Sequence, residues 1–414
     1  MSEPHVTPSA PADTAPGRHS DPARPRMSWF ARRRVAALDR ASARVHSGLL
    51  GQVTRGGRPA ASTGTSGGVA AISVLVLVAY VAAVVLLVVA TLAPKNVIGW
   101  FFVVLAWLVV IAIAPRPNHL GDVRLLPVEH FPSTHRYVAV VAEAVGTRTP
   151  DIIAVSTEFN ASVTRVGWGR RQALVVGLPF WTLLTDDERL ALLGHELGHL
   201  RGRDTTLNHL AGLAHGILRR AATILTPLPA DAYSDFVDYR HAASEALMNT
   251  AASLVLRLLS APPTLLLLLF ERLAAVDSQR REYLADLRAA EIAGTPAMVR
   301  LLVTLGNVPG LHTLAAAGVR RREDPFAVLE SVRRRPDPTS EQVAAARRRA
   351  GEQDLRWDAS HPRDDLRLSL VEARAAHRTL PASDLQHAAD LELTGLRAEL
   401  RRAFGDELTE TYLL

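Results

Sequence analysis

From Val69 to Leu92 the chain reads VAAISVLVLVAYVAAVVLLVVATL, without a single charge. A helix of that length exceeds the ~20 residues that a bilayer crossing needs. APKN follows, and then a second uncharged stretch, VIGWFFVVLAWLVVIAIA, from Val97 to Ala114. Its Trp100 and Trp107 are of a kind common near membrane interfaces. The pair is read as a transmembrane hairpin over 69–116, with spans at about 69–92 and 97–114. The competing reading is a buried helical hairpin in a water-soluble protein, where two such adjacent runs are rare. A cleavable signal peptide does not fit, because the first apolar run begins far too late in the chain.

The flanking charges orient this hairpin. Ten arginines precede the first stretch, Arg116 and Arg124 follow the second, and the turn between them carries Lys95, the only lysine. The positive-inside rule places both flanks in the cytoplasm. The expected location is therefore the cell (inner or plasma) membrane, multi-pass, with the main domain cytoplasmic and the lipid bilayer as a partner. The net charge of +6 suits an anionic membrane surface at least as well as nucleic acid. The triplets Arg320–Arg322, Arg333–Arg335 and Arg347–Arg349 lack interleaved aromatics. Such runs usually mark a solvated or lipid-facing surface, and no nucleic-acid partner is expected.

Residues 1–68 are rich in Pro, Ser, Gly, Ala and Arg and bury too little apolar surface to offset chain entropy. They are read as a disordered basic cytoplasmic tail, within which a short helix around Trp29 to Val45 could lie on lipid headgroups. From about His119 the composition becomes globular. The expected class for 119–376 is mainly α with a small β-sheet (α+β), its strands DIIAVS (151–156), QALVVG (172–177) and Val163 to Trp168 between them. A polar stretch at about 324–353, with Pro325, Pro336 and Pro338, is read as an insertion, and 377–414 as a C-terminal helical tail.

Chemistry concentrates in LLTDDERLALLGHELGHL, from Leu183 to Leu200. Thr185 and Glu188 are spaced as a capping box, and Asp186 and Asp187 sit where the helix dipole favours negative charge. Leu190, Leu193, Leu197 and Leu200 form an apolar face at helical spacing. His195 and His199, four residues apart, project from one face, the spacing two imidazoles need to grip one tetrahedral ion. Glu196 lies about 100° round from His195, placed for a water rather than for the ion. That is the mechanical content of His-Glu-x-x-His: two ligands and a general base. A solvated helix with incidental histidines is the alternative. Against it stand Gly194 and Gly198, each costing ~1 kcal/mol of helix stability against alanine, which points to something approaching that face closely. The chain has no cysteine, so any metal must be held by histidine and carboxylate. Zinc in a catalytic site takes three protein ligands. Glu282 and Asp286, in SQRREYLADLRAAE, are the downstream candidates: Glu282 to ligate, Asp286 to fix a ligand histidine's tautomer. A salt-bridged surface helix, using Arg280 and Arg281, is the other reading.

These blocks together resemble the M48 family of membrane-associated zinc metallopeptidases, with its HtpX-like and Ste24-like branches. The resemblance is carried by HELGH with Asp204 after it, by SQRREYLAD, by SHPRDDLRL with His361, Pro362 and Arg367, and more weakly by Asn160-Ala161 in EFNASV. It implies a zincin-like peptidase domain and one Zn2+ per chain on His195, His199 and Glu282. Glu196 would be the general base, with Asp286 and Asp204 in support. His361 and Arg367 would stabilise an oxyanion or tie the C-terminal segment to the site. Asn160 and Ala161 would pair with substrate backbone. The implied activity is that of a membrane-anchored zinc endopeptidase (EC 3.4.24 type) acting on polypeptides such as membrane or misfolded proteins. Two alternatives are a catalytically silent zinc-containing membrane scaffold and a basic membrane-surface or nucleic-acid-binding protein.

The same ligand set constrains topology. His199 and Glu282 must meet at one ion, so the chain between them crosses the membrane an even number of times. Leu207 to Leu225 is interrupted by His209, His215, Arg219 and Arg220, and Ala251 to Phe270 by Arg257 and Pro262-Pro263. The expectation is no crossing in either, with PPTLLLLLFERL a buried or membrane-grazing helix; a pair of strained spans is the alternative.

Overall fold

The computed structural model describes residues 29–57, 64–93, 96–168, 171–201, 204–225, 242–333, 339–352 and 362–412. Helices α1 (Trp29–Thr54), α2 (Gly64–Leu92) and α3 (Val97–Ile113) come first. Strand β1 (Arg124–Leu125), helix α4 (Pro132–Val145), and strands β2 (Ile152–Ser156), β3 (Ala161–Val166) and β4 (Arg171–Gly177) follow. Then come α5 (Leu178–Leu183), α6 (Asp186–Gly198), α7 (Asp204–Leu225), α8 (Ala242–Ala293), α9 (Thr295–Leu305) and α10 (Val308–Arg320). The chain ends with α11 (Pro325–Arg333), α12 (Ser340–Glu352), α13 (Asp364–Arg374), α14 (Asp384–Gly395) and α15 (Arg397–Tyr412). The architecture is mainly α with one small sheet, as the patterning predicts.

That sheet runs β1-β2-β4-β3, with β2 and β4 parallel and the two outer pairs antiparallel. Its central strands are buried on both faces, with Ala154, Val155, Ala173 and Leu174 fully shielded. The alternation seen in half-exposed strands is therefore missing, which is the behaviour of strands covered by helices on two sides. One cluster joins these strands to α4, to Leu190, Leu193 and Leu197 of α6, to Ala289 and Ile292 of α8, and to α9–α11 and α13–α15.

A second cluster lies outside this core. Val69 and Val76 of α2, Ala214, Ile217, Leu218 and Ala222 of α7, and Leu267 and Phe270 of α8 pack together. Elsewhere on α2 and α8, and on α3, large apolar side chains are exposed, among them Leu75 and Leu86 of α2, Phe101 of α3, and Leu258 and Leu265 of α8, each at least 60% exposed. Among the described residues the helices long and apolar enough to cross a membrane are Thr65–Leu92 and Arg257–Ala293; α7 is not one of them, in keeping with the expectation for 207–225, while the 251–270 stretch of α8 falls largely within the second. Neither stretch is covered by the main domain; both run alongside α2. Two of the polar groups within α7 have partners: His215 Nε2 lies 3.4 Å from Glu271 Oε1, and Arg220 Nε donates to the Ile113 carbonyl at 3.3 Å. Pro262 and Pro263 sit inside α8 without ending it.

Two other segments differ from their reading. The amino-terminal region, read as a tail, contains the 26-residue α1, and its C-terminal half docks on the main domain. Leu49 and Val53 pack with Tyr283, Leu284 and Leu287 of α8 and Leu370 of α13, and His46 Nε2 lies 2.8 Å from Ser369 Oγ. Polar composition concealed this because only a few apolar residues, spaced for one face, make the contact. The stretch read as an insertion at 324–353 begins with α11, whose Phe326 and Leu329 are buried in the main core.

Candidate metal centre

α6 starts where the capping box places it. Thr185 accepts from the Glu188 N–H, and Glu188 accepts from the Thr185 N–H at 2.8 Å. The acidic first turn is held by arginines from later elements. Arg189 is fully buried, donates to the Trp181 carbonyl at 3.0 Å and pairs with Asp390 at 2.7 Å. Arg333 bonds Asp186 at 2.6 Å, and Arg300 and Arg378 reach Asp187. The helix carrying the histidines is therefore fixed at its N-terminus by charge as well as by its leucines.

The two glycines of α6 explain how α8 comes so close. A Cβ at Gly194 would lie 2.4 Å from Ile292 Cδ1 and 3.2 Å from the Ala289 Cα; one at Gly198 would lie 3.3 Å from the Ala285 Cα. The predicted close approach to that face is made by α8 itself. Small residues on both helices bring Glu282 within reach of the histidines.

His195 Nε2, His199 Nε2 and the two Glu282 carboxylate oxygens converge. The imidazole nitrogens are 3.2 Å apart, and each lies 3.5 Å from a Glu282 oxygen. Among the described residues, His195, His199 and Glu282 are the group able to hold a metal ion. A tetrahedral ion with ligands at about 2.0–2.1 Å keeps them about 3.3 Å apart, so this spacing fits a zinc-sized cation. Asp286, fully buried, puts Oδ1 2.9 Å from His195 Nδ1. A proton on Nδ1 directed at Asp286 leaves the Nε2 lone pair facing the shared centre. Burial works against a charge on His195, but Asp286 and Glu282 outweigh it and raise its pKa to about 10. Burial likewise disfavours the Asp286 charge, yet Arg367 and His195 bring its pKa down to about 2. The same negative field would meet a cation held here.

Glu196, 8% exposed, follows His195 on α6. Arg367 is not at an oxyanion position. Its guanidinium is buried and donates twice to Asp286, Nε to Oδ2 and Nη2 to Oδ1, both at 2.8 Å. The expectation of Arg367 as a catalytic group is corrected: the arginine lies behind the ligands and ties α13 to α8. His361 lies outside the described residues, and Asp204 is the first residue of α7.

The edge strand also corrects one assignment. The Asn160 carbonyl accepts from the Gly177 N–H at 2.7 Å, and the Asn160 side chain accepts from the Ala161 N–H at 2.9 Å. Asn160 therefore faces β4. With Ala161 opposite Val176, antiparallel pairing alternates, and the backbone groups of Ala161, Val163 and Arg165 turn to the open edge. Gly177 is required at this corner, since a Cβ there would lie 1.9 Å from the Glu158 carbonyl oxygen. Beyond β3, a cleft of about 250 Å3 opens between this strand and α7, with His199 on its wall.

Sequence comparisons agree with this geometry. Residues 129–375 match the sequence model of Peptidase family M48. The chain is similar to Protease HtpX of Pseudomonas putida (strain GB-1), 28% identical over 189 residues, covering 44% of this chain and 60% of the relative. It is also similar to Protease HtpX of Cellvibrio japonicus (strain Ueda107), 30% identical over 171 residues, 41% of this chain and 54% of the relative. The chain thus spans at most about 60% of the length of these curated relatives. No solved structure gives a significant match.

Proposed function

The chain belongs to peptidase family M48, and on that premise we propose that it is a zinc-dependent endopeptidase held at the cytoplasmic face of the cell membrane. The observation that carries the reading is the convergence of two imidazoles and one carboxylate, from two separate helices, at 3.2–3.5 Å.

His195, His199 and Glu282 hold the ion, which supplies Lewis acidity toward the scissile carbonyl and lowers the pKa of water toward ~7. Glu196 takes the proton of the attacking water and delivers it to the leaving amine nitrogen. Asp286, itself clamped by Arg367, holds His195 in the ligating tautomer. Substrate enters as an added strand on β3, reading the backbone of Ala161, Val163 and Arg165.

The bundle of α2, α3, α7 and the apolar first part of α8 sits in the bilayer. Its lipid face is the exposed leucine, valine and phenylalanine surface, and the His215–Glu271 pair shields the polar interior. On this reading α7 and the apolar first part of α8 form the pair of strained spans that the ligand pair requires, one leaving and one returning. Membrane or misfolded proteins are then the natural substrates.

The deciding experiment compares wild type with Glu196→Gln in detergent. Bound zinc is measured by elemental analysis and cleavage with an unfolded casein. Zinc retained and cleavage lost is the expected result. Equal cleavage by both would remove Glu196 from its role, and cleavage by neither with zinc present in both would favour the silent scaffold.

A further inference from the structure

The cleft beside the metal centre has a one-sided charge. Among the described residues its ionisable wall residues are Arg116, Arg165, His199 and His209, with no Asp or Glu among them. The carboxylate of Glu282 faces the two histidines of the metal centre. Arg116 comes from the segment after α3, Arg165 from β3 and His209 from the first turns of α7, so three elements bring basic groups to one opening.

Arg165 occupies the informative position. It shares a strand face with Ala161 and Val163, whose side chains enter or pack on the core, because strand side chains alternate with period two. Its backbone also belongs to the set turned toward the open edge. A substrate strand added there would run past the Arg165 guanidinium within a few residues of the bond being cut. Burial, and then the neighbouring Arg148, push the Arg165 pKa below its ordinary value.

We propose that this cleft selects polypeptides carrying an Asp or Glu side chain within a few residues of the scissile bond, with Arg165 and Arg116 as the specificity-determining residues. The proposal rests on the peptidase reading and names its substrate class. Opposite charges facing each other across paired strands attract, and like charges repel; in a partly enclosed cleft both effects exceed those on an open surface.

The test uses the full-length, zinc-loaded protein in detergent and three quenched fluorescent peptides. They share one cleavable sequence and differ at the third residue on either side of its centre, bearing Asp, Ala or Lys. The expected order of kcat/KM is Asp, Ala, Lys, with Asp over Lys by about tenfold or more, shrinking as salt screens the pairing. Arg165→Glu should invert the Asp-to-Lys ratio. Arg116→Glu, folded as judged by bound zinc, should lower it independently, which keeps the proposal testable should the β3 variant fail to fold. Equal cleavage of the three peptides by wild type overturns this proposal alone. Cleavage of none, with zinc bound, overturns the peptidase reading and this proposal with it.

Discussion

Gly194→Ala is a one-carbon change that should damage the metal centre from behind. On an isolated helix the substitution gains ~1 kcal/mol. In the folded protein the new methyl carbon would lie 2.4 Å from Ile292 Cδ1, 3.0 Å from its Cγ1 and 3.2 Å from the Ala289 Cα. The isoleucine tip can rotate, but the Ala289 backbone can move only if α8 moves. Overpacking of this kind costs about 1–3 kcal/mol, so the net change is a loss of about 0–2 kcal/mol after the propensity gain. In a domain of this size that is a fall in Tm of up to about 8 °C. The functional consequence is larger than the stability change, because Glu282 rides on α8 and both histidines ride on α6. Separating the helices stretches the 3.5 Å spacings that define the centre. Zinc affinity, measured by competition with a chromophoric chelator, should fall by about tenfold or more, comparable with losing a supporting hydrogen bond. Ile292→Val removes the nearest carbon, and the double variant should recover most of both losses. The double-mutant cycle would then give a coupling of about 1 kcal/mol. A Gly194→Ala protein with unchanged Tm and unchanged zinc affinity would refute the claim that close packing of α6 on α8 builds the site.

Asp286→Asn should lower zinc affinity by about 10–100-fold while leaving the buried Arg367 with only the longer pairing to Asp364; a native chelator-competition curve would show that His195 needs no orienting partner. Thr185→Ala removes one half of the capping box and should cost about 1 kcal/mol, read as a lower thermal midpoint with zinc stoichiometry unchanged. Leu49→Ala opens a cavity between α1, Tyr283 and Leu287 and should cost about 2–5 kcal/mol. Limited proteolysis should then cut within α1 before the main domain; an unaltered digestion pattern would mean that α1 does not depend on that contact.

Much of this protein is written locally. Uninterrupted apolar runs give α2, which is long and apolar enough to cross a membrane, and the shorter α3, because a helix satisfies its backbone within its own residues. The capping box at Thr185 and the four-residue spacing of His195 and His199 are likewise properties of one helix. The family resemblance adds Glu282 and Asp286, which sit on a segment whose arginines read equally well as a solvated surface. What depends on distant partners is not legible in this way. Arg367 looks available for catalysis until the fold sets it against buried Asp286, where desolvation leaves it no other role. Asn160 looks like a substrate contact until the register with β4 turns its carbonyl inward. His215 and Arg220 of α7 have no evident partners until Glu271 and the end of α3 face them. The amino-terminal segment looks unstructured until α8 and α13 present a surface for Leu49 and Val53. In each case the side chain's chemistry is fixed by the sequence, but its energy is set by which neighbour replaces water around it. That neighbour comes from tens to hundreds of residues away, and only the tertiary structure chooses it.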